Sequence, residues 1–122
     1  MKISFVIPAY NEEHYVGDCL HAILREKRAN PSYDVEIIVV NNASTDGTAE
    51  VVKKYPEVKL VNESTKGIVH ARRAGFLAST GDLIANVDSD TRVSIGWLPK
   101  VMRAFEHDTR LVGVLGSLFF FD

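Results

Sequence analysis

Two carboxylates stand one residue apart in Asp88-Ser89-Asp90, and such a pair suits a hard divalent cation. On an extended segment, side chains at i and i+2 project to the same side, so both can reach one ion. Mg²⁺ or Mn²⁺ held there would bridge phosphate oxygens and draw charge from a diphosphate as the bond to it breaks. Asp88 or Asp90 can equally cap a helix that begins near Ser94, and the pair alone leaves both roles open.

Three other polar segments could serve the same chemistry: Pro8-Ala9-Tyr10-Asn11-Glu12-Glu13, Asn41-Asn42-Ala43-Ser44-Thr45-Asp46-Gly47 and Asn62-Glu63-Ser64-Thr65-Lys66-Gly67. Lys66 and, further on, Arg72 match the charge of a diphosphate, although solvated surface positions fit them as well. Ser44 and Asp46 can act as helix caps, and Glu12 and Glu13 as partners of a helix dipole. The four histidines form no H-x-x-x-H and none stands beside the cysteine at zinc spacing, so they read as structural or exposed.

The elements that must carry these segments alternate along the chain. Apolar, β-branched runs at residues 3–7, 35–40, 58–61 and 83–87 predict strands, the first stopped by Pro8. Tyr15, Val16, Cys19, Leu20, Ile23 and Leu24 recur at helical spacing, with Asn11 placed as the N-cap and Glu12 and Glu13 in the first turn. The basic stretch from Arg25 to Arg28, followed by Asn30-Pro31, ends that helix. Val51, Val52 and Tyr55 suggest a short helix before Pro56. Residues 67–79 read as a helix with Val69, Ala74, Leu77 and Ala78 available for burial. Trp97, Val101, Met102 and Phe105 mark another helix, and residues 111–121 a last strand-rich segment.

Alternating strands and helices imply an α/β fold, a mainly parallel sheet with helices on both faces. Ligands of such sheets bind outside the carboxyl ends of the strands, where each polar segment above falls. There is no G-x-G-x-x-G and no G-x-x-x-x-G-K-[ST], and the first strand-to-helix turn has no glycine at all. A diphosphate bound here therefore needs a source of positive charge other than a glycine cradle.

Composition sets the outer bounds. The chain has 122 residues, enough for one domain with a real core, and its 46% hydrophobic and 25% charged content is that of an ordinary globular protein. A net charge of −2, with both signs well mixed, offers no basic stripe for nucleic acid. No run approaches the roughly 20 apolar residues of a membrane span, and the N-terminal run is too short for a signal peptide core. The single Cys19 cannot form an internal disulfide and lies on the apolar stripe of its helix. These features point to a cytoplasmic protein, with a peripheral position at the inner face of a membrane left open.

Taken in order, the strand-end motifs resemble the family 2 inverting glycosyltransferases, which have the Rossmann-like GT-A fold. Val6-Ile7-Pro8-Ala9-Tyr10-Asn11-Glu12 resembles the opening strand and donor loop, and Asn41-Asn42-Ala43-Ser44-Thr45-Asp46-Gly47-Thr48 the second motif. Lys66-Gly67 with Ala71-Arg72-Arg73 and Gly75 is similar to the third. Thr80-Gly81-Asp82 through Asp88-Ser89-Asp90 is similar to the fourth, which carries the metal-binding D-x-D. The resemblance covers nearly the whole chain. It implies that Pro8, Ala9, Tyr10 and Glu12 line a nucleoside pocket with Asn42 against the base, and that Lys66, Gly67 and Arg72 approach the ribose or diphosphate. Asp88 would lie near ribose and metal, and Asp90 would ligate Mn²⁺ or Mg²⁺.

The implied reaction transfers a sugar from a nucleoside diphosphate sugar, a UDP-sugar by preference, to a hydroxyl of a saccharide or lipid-linked acceptor with inversion, in polysaccharide or glycolipid synthesis. Two departures qualify it. The second motif usually offers an aspartate where both Asn41 and Asn42 are amides, although an asparagine oxygen can still accept the imino hydrogen of uracil or thymine. The acceptor half and its general base lie further downstream in the family. Residues 1–122 thus read as a truncated nucleotide-sugar-binding domain with no catalytic base assigned, and an inactive nucleotide-binding or interaction fragment is the alternative. A sugar-phosphate nucleotidyltransferase, whose sheet is related, would show a glycine-rich loop after the first strand. A last strand ending in Phe119-Phe120-Phe121 is expected to leave an apolar edge and to favour self-association.

Overall fold

The computed structural model describes residues 1–107. The expected last strand, and the self-association drawn from it, lie outside the described residues. The chain runs β1 (Lys2–Ala9), α1 (Val16–Ala29), β2 (Asp34–Asn41), α2 (Thr48–Val52), β3 (Val58–Asn62), α3 (Ile68–Ala78), β4 (Leu83–Asn86) and α4 (Trp97–His107). The strands form one sheet in the order β3-β2-β1-β4, every pairing parallel. The chain moves outward from β1 to β3 and then returns across β1 to place β4 on its other side. That reversal opens a crevice at the carboxyl ends of β1 and β4.

β1 is the centre of the core, and Ile3 to Ala9 are all buried. Alternate residues face opposite layers. Ile3, Phe5, Ile7 and Ala9 join Ile37 and Val39 beneath α1, α2 and α4, while Val6, Ile38 and Val40 meet Ala71 of α3 on the other face. Phe5 packs on Trp97 with ring centroids 5.4 Å apart. The α/β expectation of helices on both faces therefore holds, and Cys19 is fully buried as its stripe implied.

Pro8 does not stop β1, which continues to Ala9. The amide of Val87 donates to the Val6 carbonyl, so the even-numbered residues of β1 turn their polar groups toward β4. β4 pairs no further than Asn86 opposite Val6. The N–H that Pro8 lacks would thus have pointed past the end of a strand, where proline is tolerated.

Two helix expectations are corrected. α1 begins at Val16, not after Asn11, because residues 10–15 make an additional loop in which the Glu12 carbonyl accepts from Tyr15 and Val16. Asn11 takes a positive φ of 52° and serves that loop rather than capping a helix. In α3, Ala71 and Gly75 are buried and Ala74 and Ala78 are partly buried, whereas Val69 and Leu77 are 72% and 66% exposed. The helix sits so close to the sheet that a Cβ on Gly75 would overlap Val6 Cγ1 and approach Val40 Cγ2 to 3.1 Å. Only small side chains fit that contact, and the large ones turn outward.

One buried carboxyl group ties α1 to α4 within their layer. Glu26 of α1 is 2% exposed, and its oxygens accept the Gly96 amide at 3.2 Å and the Leu98 amide at 2.9 Å, satisfying the open N–H groups at the start of α4. Pro99 follows in the first turn, where a missing N–H costs no helical bond.

Candidate functional site

The exits of all four strands lie on one end of the sheet, and the loops there are stitched to one another by side chains. The Asn11 carboxamide oxygen accepts the Thr45 amide at 2.8 Å, and the Asn11 amide donates to Ser44 Oγ at 3.0 Å. Glu12 N donates to Thr48 Oγ1 at 2.9 Å. Glu13, expected as a dipole partner of α1, instead accepts the Gly47 amide at 3.1 Å. Asp46 accepts both the amide and the hydroxyl of Thr48, so it holds the start of α2 as the capping alternative anticipated, although the formal N-cap is Gly47. Burial pushes the Asp46 carboxyl up, but the donors of Thr48 and the Glu13 amide outweigh it and hold it below its ordinary value.

A pocket of about 210 Å³ opens between the β1 exit and the β3–α3 connection, lined by Pro8, Ala9, Tyr10, Asn42, Lys66, Gly67 and Ile68. Six of these were named from the sequence, and Ile68 was not. Its apolar lining suits a flat heterocycle. Lys66 Nζ donates to the Tyr10 hydroxyl at 2.9 Å and lies 4.2 Å from the ring centroid, which places a cation at the pocket rim. Gly67 has φ of 137°, a conformation open to glycine and strained for other residues. Arg72 lies one helical turn into α3, is exposed, and is not among the residues lining the pocket.

Asn42 is buried, 4% exposed, and its carboxamide spans the pocket floor. Its nitrogen donates to the carbonyls of Glu63 and Thr65 at 3.1 and 2.8 Å, and its oxygen accepts the Gly67 amide at 2.9 Å. Asn41 bridges the same strands, donating to Asn62 Oδ1 at 3.2 Å.

The acidic centre lies at the β1–β4 crevice. Asp88 and Asp90 are both exposed, but they do not share an extended run, since β4 ends at Asn86 and the Asp88 carbonyl accepts the Thr91 amide to close a turn. Two groups, buried Cys19 and half-buried Glu12, register their charge. The Cys19 thiol donates to the Asp88 carbonyl, and burial, followed by the charges of Asp90 and Asp88, pushes its pKa up to about 12. Glu12 is raised above its ordinary value by burial first, then by Asp90 and by Asp46. Its Oε2 is buried without a hydrogen-bond partner among the described residues. Glu12, Asp46, Asp88 and Asp90 therefore converge from three loops, a gathering that spacing along the chain could not show.

No group of three or more metal-ligating side chains is set to enclose an ion among the described residues. Asp88 and Asp90, beside Glu12 with its unpartnered Oε2, offer carboxylate oxygens of the kind that would suit Mg²⁺ or Mn²⁺. No helix among the described residues is long and apolar enough to cross a membrane.

Comparison with known proteins agrees with this geometry. The family model described as glycosyl transferase family 2 matches residues 4–120. A dolichyl-phosphate beta-glucosyltransferase of Trichomonas vaginalis, ALG5C, is 42% identical over 101 residues, covering 75% of this chain and 30% of the relative. Residues 1–349 of TarS from S. aureus, solved with UDP-GlcNAc, superpose with a TM-score of 0.77 at 25% identity over 89% of this chain and 32% of that one. The mannosyltransferase PcManGT from Pyrobaculum calidifontis, solved with GDP-Man and Mn²⁺, gives 0.76 at 25% identity over 85% of this chain and 32% of its own. The chain thus spans about a third of the length of ALG5C, of PcManGT and of TarS 1–349.

Proposed function

The chain belongs to glycosyl transferase family 2, and from that premise we propose that it forms the nucleotide-sugar-binding part of a metal-dependent, inverting glycosyltransferase. The observation that carries the proposal is the adjacency of two unlike sites on the β1 exit loop. Tyr10 opens an apolar pocket with a cation at its rim, and Glu12, two residues on, enters a cluster of carboxylates. A nucleoside diphosphate has the same polarity, a heterocycle at one end and a polyanion at the other.

In this reading Pro8, Ala9, Tyr10 and Asn42 surround the nucleoside, and Glu12, expected among them, stands on the carboxylate side of the same loop. Lys66, Gly67 and Arg72 serve the ribose and diphosphate, Asp88 lies by the ribose, and Asp88 and Asp90 hold Mn²⁺ or Mg²⁺. When bound, the ion supplies charge stabilisation to the leaving diphosphate. Lys66 shares that task with a mobile, strongly hydrated charge. Gly67 lets the backbone come close to the ligand. The donor is a nucleoside diphosphate sugar, with UDP preferred, and the acceptor a saccharide or lipid-linked hydroxyl. The similarities to proteins solved with UDP-GlcNAc and GDP-Man, and to a relative named for dolichyl phosphate, support that substrate class. Transfer would take place at the cytoplasmic side of a membrane or in the cytoplasm.

Calorimetric titration of UDP with Mn²⁺ into the wild type and an Asp88→Ala/Asp90→Ala variant tests the proposal. Loss of the charged contacts should weaken nucleotide binding about 10- to 100-fold in manganese. Equal affinity in the two proteins overturns it. Donor hydrolysis measured on the same samples separates an active transferase fragment from one that only binds nucleotide.

A further inference from the structure

The resemblance places Asn42 against the base, with its oxygen free to accept an imino hydrogen. The hydrogen bonds around that side chain assign it other work. A primary amide has two N–H donors and one oxygen, and here both kinds of group are directed at one short stretch of backbone. The Glu63 and Thr65 carbonyls take the nitrogen, and the Gly67 amide takes the oxygen. Asn42 is 4% exposed, and its nitrogen and its oxygen are both engaged by this stretch.

We propose that Asn42 is a positioning residue, not a base reader: its carboxamide clamps residues 63–67 and so sets where Lys66 and Gly67 meet the ligand. The inference rests on the nucleotide-binding reading for its consequence, but not for the clamp itself. Three features agree with it. The clamped stretch ends at Gly67, whose φ of 137° must be held in place for α3 to begin at Ile68. Lys66, inside the stretch, reaches Tyr10 Oη at 2.9 Å across the pocket, a reach that depends on where its backbone sits. Asn41 is bonded in the same direction, to Asn62, so the paired amides fasten the β2 exit to the β3 exit.

The chemistry of the clamp also calls for an amide rather than a carboxylate at residue 42. A carboxylate has no N–H to offer. Placed here, it could still accept from Gly67, but it would face the Glu63 and Thr65 carbonyl oxygens with negative charge at hydrogen-bond distance. Asparagine is the residue of this shape that satisfies a floor made of two acceptors and one donor.

The test compares wild type with Asn42→Asp in two measurements. Amide hydrogen exchange without ligand reads the clamp: residues 63–67 should exchange about 30-fold faster in the variant, the consequence of losing two hydrogen bonds of ordinary strength. Titrations of UDP, CDP and GDP with Mn²⁺ read the role: all three should weaken by a common factor, leaving their ratios within about twofold of wild type. Gly67→Ala, which strains the same stretch with Asn42 intact, should reproduce the common loss and serves if Asn42→Asp does not fold. Unchanged exchange across residues 63–67 overturns the proposal. So does a UDP:CDP or UDP:GDP preference that moves about tenfold in Asn42→Asp but not in Gly67→Ala. If the wild type binds no nucleotide, the functional reading fails, while the exchange measurement still decides the clamp.

Discussion

Replacing Glu12 with glutamine should make the protein more stable and a poorer binder. In the metal-free protein, Glu12 Oε2 is buried without a partner among the described residues, and burial, Asp90 and Asp46 all disfavour its ionised form. Glutamine keeps the length and the unmet atom but removes the like charge. The recovered energy is on the order of 1 kcal/mol, from relief of the partial burial of a charge first and of its solvent-screened repulsion by Asp90 and Asp46 second. The carboxyl is raised from its ordinary 4.5, so the folded state holds the proton more tightly than the unfolded state. Its cost is therefore absent below about pH 4.5, grows as pH rises through the folded value, and is complete above it. Urea unfolding in metal-free buffer should place the midpoint of Glu12→Gln about 0.5–1 M above wild type at pH 7, and the two midpoints should converge at pH 4. With Mn²⁺ and UDP present, the order of nucleotide affinity should reverse in favour of wild type. A variant no more stable than wild type at pH 7, or an offset that persists unchanged at pH 4, would refute the claim that carboxylate repulsion is concentrated at Glu12.

Two further substitutions probe the frame that positions the site. Gly75→Ala forces a methyl group against Val6 and Val40, so overpacking should cost about 1–3 kcal/mol, read as a lower urea midpoint with an unchanged slope. Glu26→Ala strips the acceptor from the Gly96 and Leu98 amides and should cost about 2–3 kcal/mol. Glu26→Gln, which keeps one carbonyl oxygen, should cost less than Glu26→Ala in the same urea assay.

Strand positions and the parallel sheet were legible because β-branched runs separated by helical patterns have few other solutions. The pocket residues were legible because ligands of such a sheet must lie where its strands end, and Pro8 to Glu12, Asn42 and Lys66-Gly67 all fall there. Three things were not. The start of α1 was missed because Asn11, an ordinary capping residue, bonds across to Thr45, and that partner is distant in sequence. The outward turn of Val69 and Leu77 was missed because apolar periodicity ranks residues by transfer energy. The depth of the α3–sheet contact is set instead by how little of a side chain Gly75 and Ala71 present. Glu26, within a basic run, carried no mark of burial, since its partners are backbone amides on α4 that any sequence would supply.

The lack of a glycine cradle and the abundance of cross-loop hydrogen bonds have one physical root. A phosphate-binding loop rich in glycine can wrap an anion with its own amides, but it must be held by the ligand or by its immediate helix. Here the amides of Asn11, Glu12, Glu13, Thr45, Gly47 and Gly67 are already engaged by side chains of neighbouring loops. Those bonds make the strand exits rigid before any ligand arrives and leave few free amides to neutralise a diphosphate. On the proposed function, positive charge would then come from outside the backbone, from Lys66 and from a cation held by Asp88 and Asp90. The ionised form of Glu12 is disfavoured by burial first and by Asp90 and Asp46 next, which is part of the cost of gathering these carboxylates in advance. Preorganised loops with an incomplete charge balance are what a site needs if ion and nucleotide are to bind together rather than singly. Titrations should therefore show Mn²⁺ and UDP each tightening the other's binding, and mutually independent affinities would break this link.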